Sequence, residues 1–319
     1  VQEANKKGDN FFYLENHSLA CPECIENQEP EKCAHRLHLL PPWKSLIRFQ
    51  RMKELIPSSH AKDFATEVYG VFDNDVQYYI SKKNLDGIRN LPLVHRRPEL
   101  NPTDPIYVAI DPASHDKSHM GLVAMVIPLD GSKLIMGASS VPVAKCQVHE
   151  CQRVVNFFLK QLRQHPFLKA TMPLIPIIEC NNNEIVSRSL LKEFDEFSPI
   201  RMPFLKQNFQ NCISPGIGVW LTETIKMAMI QTTFQAILDK ALRFCGSVVT
   251  TGKCAYDIRS TEPNGHEQIE LALNQLGHFR DQPNGKVSGV TAAGDVDDLG
   301  IALMMAIYWS FLIRSLKVT

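Results

Sequence analysis

Ile106-Tyr107-Val108-Ala109-Ile110-Asp111 is a run of five apolar or aromatic residues that ends on a carboxylate, and a polar stretch from Ser114 to His119 follows it. A run this short, rich in β-branched residues and closed by a turn, predicts a buried β-strand with an acid at its end. Downstream, Gly121–Ile127 and Leu134–Ser139 are apolar runs separated by Asp130-Gly131. Asp-Gly is a strong hairpin signal, so the first three strands are expected to form an antiparallel meander.

Further along the chain, Val148, Cys151, Val154, Val155, Phe158 and Leu162 recur at helical spacing, and His165-Pro166 supplies the stop. Leu174-Ile-Pro-Ile-Ile-Glu179 then repeats the first pattern, a buried strand closed by an acid. Asn181–Asn183 are suited to cap a helix from about Glu184 to Phe197, and a strand is expected at Ile200–Leu205. This order, a three-strand meander followed by helix, strand, helix and strand, is that of the ribonuclease-H-like fold. The expected fold is thus α/β, a mixed sheet flanked by helices, with the first and fourth strands side by side. Asp111 and Glu179 would then leave the same edge of the sheet on neighbouring strands, about 5 Å apart.

Gly294-Asp295-Val296-Asp297-Asp298 opens a long apolar run, Leu299 to Ile313, that is shorter than the roughly 20 residues needed to cross a bilayer and reads as a buried helix. A helix N-terminus stabilises each acid by roughly 0.3–1 kcal/mol, whereas carboxylates about 4 Å apart repel by roughly 1–4 kcal/mol. Capping alone does not hold such a cluster together; a hard divalent cation, Mg²⁺ or Mn²⁺, does. Asp111, Glu179 and Asp297 are the candidate catalytic ligands, with Asp298 as a further ligand and Asp295 the weakest candidate. Two ions held there would suit phosphodiester hydrolysis.

Overall charge gives no help with a partner: 34 basic and 34 acidic side chains cancel. Any nucleic-acid surface must be local. Between Ser198 and Arg259 seven basic residues stand against three acids, and Lys206, Lys226, Arg243 and Lys253 there, with Lys286 in a predicted hairpin around Asn284-Gly285, are the candidate DNA contacts. Pro215-Gly216-Ile217-Gly218 precedes a helix bearing Met227, Ile230, Phe234 and Ile237, while residues 246–292 read as an excursion before the last helix. Gly252-Lys253-Cys254 has neither the glycine spacing nor the Ser/Thr of a nucleotide phosphate loop, so no ATP site is expected.

Residues 1–100 lack sustained periodicity, and the turn-rich stretch around 84–103 places an expected boundary near residue 100, with the ribonuclease-H-like domain expected over 101–319. Cys21, Cys24, Cys33 and either His35 or His38 make a candidate structural zinc set for the leading segment. Nine cysteines and no leader-like start suggest a reducing, cytosolic or nuclear setting, with no membrane partner.

Tyr107-Val-Ala-Ile-Asp111-Pro-Ala-Ser-His115, Ile178-Glu179-Cys-Asn181, Asp297-Asp298-Leu-Gly-Ile-Ala-Leu303 and Gly218-Val-Trp-Leu-Thr-Glu-Thr-Ile-Lys226 together resemble the nuclease domain of the herpesvirus DNA-packaging terminase large subunit, over roughly residues 60–319. That resemblance implies an endonuclease in the host nucleus that cuts concatemeric viral DNA into unit genomes with two divalent metal ions. It further implies assembly with other terminase subunits and docking at the capsid portal. The leading hundred residues would be the tail of an ATPase region and its linker. A ribonuclease H or junction resolvase would share the fold and the acids. A non-enzymatic, zinc-stabilised DNA-binding or assembly module would leave the acids merely structural.

Overall fold

The computed structural model describes residues 78–112, 119–142, 147–181, 184–197, 199, 213–214, 218–254, 264–281, 287–289 and 296–317. They belong to a unit running from Gln77 to Thr319. Its sheet contains β1 (Ile106–Asp111), β2 (Met120–Val126), β3 (Lys133–Val141), β4 (Leu174–Ile178) and, beyond two short strands, β7 (Leu242–Val249), in the order β4-β1-β2-β3-β7. β1, β2 and β3 form the antiparallel meander, with Gly131 at φ +80° in the turn that Asp130-Gly131 predicts. β4 lies parallel to β1 with Ile110 opposite Ile178, the adjacency on which the acid-pair expectation rests.

Every residue of β1 and β2 is buried, so both faces of the sheet are covered. One face carries α2 (Val148–Gln164) and α3 (Glu184–Lys192); the other carries α4 (Glu223–Leu238), α5 (Gly265–Leu276) and the central α6 (Asp298–Lys317). α1 (Lys82–Arg89) packs Leu85 and Ile88 into that second core. The boundary expected near residue 100 therefore does not separate residues 78–100 from the sheet: Val94 also bridges to Cys245 of β7. Their turn-rich composition concealed two buried apolar anchors at helical spacing.

The fifth sheet strand is β7, which pairs parallel to β3. The strand expected at Ile200–Leu205 lies outside the described residues. The supposed excursion at 246–292 holds the end of β7 and the whole of α5. Asn264 and Glu267 form a capping box at the start of α5, and Ile269, Ala272, Leu273 and Leu276 repeat at helical spacing along its buried face. Both signals are present in the sequence. A short hairpin of β8 (Arg280–Asp281) and β9 (Val287–Ser288) follows, in agreement with the Asn284-Gly285 expectation. A second small pair, β5 (Ile213–Ser214) and β6 (Gly218–Val219), lies beside β4 through a parallel bridge between Glu179 and Val219. Among the described residues no helix is long and apolar enough to cross a membrane; α6 is apolar because it is enclosed by sheet and helices.

Candidate active site

Strand parity aims the acids. In β1, Tyr107 and Ala109 face the α6 core, while Ile106, Val108 and Ile110 face the opposite one. Side chains alternate along a strand, so Asp111 falls on the α6 side. The same parity in β4, with Ile175 and Ile177 on the α6 side and Ile178 on the other, directs Glu179 to that face. The two carboxyl groups are close enough to act directly on each other. The Glu179 backbone is fixed on three sides: its N–H donates to Ile110 O at 3.0 Å, its carbonyl accepts from Ser187 Oγ at 2.7 Å, and the next N–H donates to Val219 O at 3.0 Å.

The N-terminus of α6 completes the cluster. Asp298 Oδ2 accepts from the His119 N–H at 2.8 Å, and Asp297 Oδ2 accepts from the Gly289 N–H at 2.8 Å and Ser288 Oγ at 3.1 Å. Tight backbone approach sets the position: a Cβ on Gly121 of β2 would lie 2.2 Å from Asp298 O. Two buried glutamines of α5, seven residues apart and hence on one face, brace this region. Gln275 Oε1 accepts from the Gly300 N–H at 2.7 Å, and Gln268 Oε1 accepts from the Ser140 N–H at 2.7 Å. Ser140 Oγ in turn meets His119 Nδ1 at 2.9 Å. Neither glutamine is apparent as a site residue from sequence, because their role follows from where α5 packs.

Asp111, Glu179 and Asp298 are 4, 8 and 7% exposed. Burial, followed by the repulsion of Glu179, Asp298 and Asp297, pushes the Asp111 carboxyl well above the usual carboxylate range. Burial also raises Asp298 to about 7, although the N–H groups of His119 and of Asp298 itself favour its charged form. Among the described residues no Lys or Arg is ion-paired with any of these acids. Nor do the described residues show three or more His, Cys, Asp or Glu side chains already closed into a metal cage. The oxygens of Asp297 and Asp298 accept instead from protein N–H and O–H groups. The donor set is all hard oxygen, with concentrated negative charge and no ion-paired Lys or Arg among the described residues, and such a set fits Mg²⁺ or Mn²⁺.

The other sequence candidates fare differently. Arg243 lies on β7 opposite Leu134, six residues along β3 from Ser140, the partner of Gly121 and through it of Asp111. At about 3.3 Å per residue it is roughly 20 Å from the acids. Its guanidinium donates to Pro92 O at 3.1 Å, so it belongs to the far end of the sheet and is not brought into the site. Lys226 is near the start of α4, 3.6 Å from Glu223. Lys253 is in a 3₁₀ turn, Gly252–Cys254. Lys206, Lys286, Asp295 and the zinc set Cys21, Cys24, Cys33 and His35 lie outside the described residues. One contact that the sequence did not suggest is Asn181, whose amide both donates to Leu221 O at 2.7 Å and accepts from Leu221 N at 2.6 Å. It ties the chain after Glu179 to the entry of α4.

A mixed five-stranded sheet with helices on both faces and carboxylates gathered at the ends of β1 and β4 defines the ribonuclease-H-like class. Among solved structures, the chain is similar to the human cytomegalovirus terminase nuclease domain in its manganese-soaked, inhibitor-bound form: TM-score 0.50, 19% identity, covering 72% of this chain and 94% of that one. The manganese-soaked form of that domain aligns with TM-score 0.48 at 20% identity, covering 72% of this chain and 94% of that one. No family model and no curated protein matches the sequence. At this identity the likeness establishes the fold.

Proposed function

We propose that this chain is a metal-dependent DNA endonuclease of a viral packaging machine, cutting concatemeric viral DNA into unit genomes in the host nucleus as part of a terminase complex with its partner subunits at the capsid portal. The observation that supports this best is the juxtaposition of buried Asp111, Glu179 and Asp298 with half-buried Asp297, uncompensated by any described cation, on the fold shared with a terminase nuclease domain.

In this reading Asp111, acted on by all three other acids, would hold Mg²⁺ or Mn²⁺ together with Glu179 and the Asp297/Asp298 pair. Bound there, the ions supply an activated water and stabilise the leaving oxygen. The protein's own contribution is placement. β1 and β4 deliver two acids in register, and the backbone N–H groups of His119 and Gly289 hold the Asp298 and Asp297 carboxylates in place. Burial and the neighbouring acids favour the neutral form of Asp111, so ligation by both carboxylates would be coupled to loss of a proton. Cys21, Cys24, Cys33 and His35 are retained as a proposed structural zinc clip, tested by the metal content of the full chain.

Supercoiled plasmid, incubated with the full chain and Mn²⁺ or Mg²⁺, tests the reading. Metal-dependent nicking that disappears in Asp111→Asn, Glu179→Gln and Asp297→Asn, with their circular-dichroism spectra unchanged, is the expected result. Wild-type cleavage confined to the RNA of RNA–DNA hybrids would point to a ribonuclease H. Cleavage that survives Asp111→Asn would reject the assignment.

A further inference from the structure

We propose that Tyr78 and Arg280 form a contact for the sugar–phosphate strand beside the acid cluster, with Arg280 holding a phosphate and Tyr78 a sugar or base; this rests on the nuclease reading above. Directly opposed residues of an antiparallel pair share a face, with Cβ atoms about 4.5–5.5 Å apart. Arg280 is opposite Ser288, and Tyr78 bridges antiparallel to Arg280 on its other side. Ser288, Arg280 and Tyr78 therefore make one row across the hairpin. The inner end of the row is fixed at the site, since Ser288 Oγ lies 3.1 Å from Asp297 Oδ2. Its outer end is open, with Tyr78 45% exposed.

Each step across a sheet is about 4.8 Å, so the row extends roughly 10 Å outward from Ser288. Phosphates on one strand of a duplex advance about 3.4 Å along the axis per nucleotide. A strand with its scissile phosphate at the acids thus presents a phosphate one to three nucleotides away to this row. Arg280 suits that position. Its guanidinium carbon is 6.0 Å from the Tyr78 ring centroid, and among the described residues it has no carboxylate partner. Stacking on the ring holds the charge in a defined direction at little desolvation cost. The backbone beneath is pinned by the Tyr79 N–H to Phe279 O bond at 3.0 Å. In a chain of zero net charge whose nuclease centre is negative, a cation in this place offsets the repulsion that an incoming phosphate would meet.

The test measures anisotropy of a fluorescein-labelled DNA duplex with the full chain in Ca²⁺, over a salt series, for wild type, Arg280→Gln, Arg280→Lys and Tyr78→Leu, each checked for an unchanged melting temperature. Arg280→Gln should weaken binding roughly threefold to tenfold at every sequence and flatten the slope of log K against log salt by about 0.9, the loss of one phosphate contact. Arg280→Lys should keep the wild-type slope. Tyr78→Leu should weaken binding about fivefold or more with the slope unchanged. An unaltered slope in Arg280→Gln, or no binding by the wild type, overturns the proposal. A wild type that binds with the expected slope change but never cuts in Mn²⁺ keeps this contact and removes the nuclease reading; a wild type that cuts while Arg280→Gln keeps its KM and slope does the reverse.

Discussion

Asp298→Asn is expected to stabilise the metal-free protein above neutral pH and to leave it nearly unchanged in acid. The Asp298 carboxyl, with its ordinary value near 3.8, is raised to about 7 in the folded chain, chiefly by burial. A folded value above the unfolded one means that the stability contribution is fully present below about pH 4 and lost as pH rises through about 7. A difference of about three units corresponds to roughly 4 kcal/mol. The amide removes that penalty, and the charge-assisted bond from His119 N–H that goes with the carboxylate is already contained in the net shift. The gain is thus about 4 kcal/mol above pH 8, or roughly 8–16 °C in Tm for a unit of this size, and close to zero near pH 4, where the wild-type carboxyl is itself neutral. Thermal melts in EDTA from about pH 4 to pH 9 check this. Wild-type stability that climbs between about pH 5 and pH 8, or a variant shifted equally at both ends, would refute the claim that the acid cluster is a folding liability without metal.

Mn²⁺ binding should weaken steeply as pH falls below about 7, because Asp111 and Asp298 then keep their protons; calorimetric titration at several pH values reads this as proton release on binding. Gln275→Met should leave the Gly300 N–H buried without an acceptor and cost roughly 1–3 kcal/mol, measured by urea unfolding, with Gln275→Glu recovering part of the loss. Gly218→Ala should be more severe than an ordinary surface change, since its Cβ would lie 2.1 Å from Ile178 O and push β6 off the Glu179 backbone; a melting temperature within error of wild type would contradict that close approach.

The sequence by itself determined the elements whose signals are local. The apolar runs closed by Asp111 and Glu179, the Asp130-Gly131 turn and the helix ended by His165-Pro166 are legible because burial and turn chemistry act on neighbours in the chain. Their order was enough to place β1 beside β4, and so to bring the two acids together before any coordinates. The capping box and apolar spacing of α5 were equally readable and were masked by the polar stretch around them. Tertiary structure alone decided the rest. Arg243 counts as a basic residue in a basic stretch, yet the register of β7 on β3 carries it to the far end of the sheet. Arg280 carries no such signal, yet the hairpin places it one strand from the partner of Asp297. Gln268 and Gln275 became braces only when α5 was packed against β3 and α6, because a hydrogen bond between residues distant in the chain depends on how the elements pack.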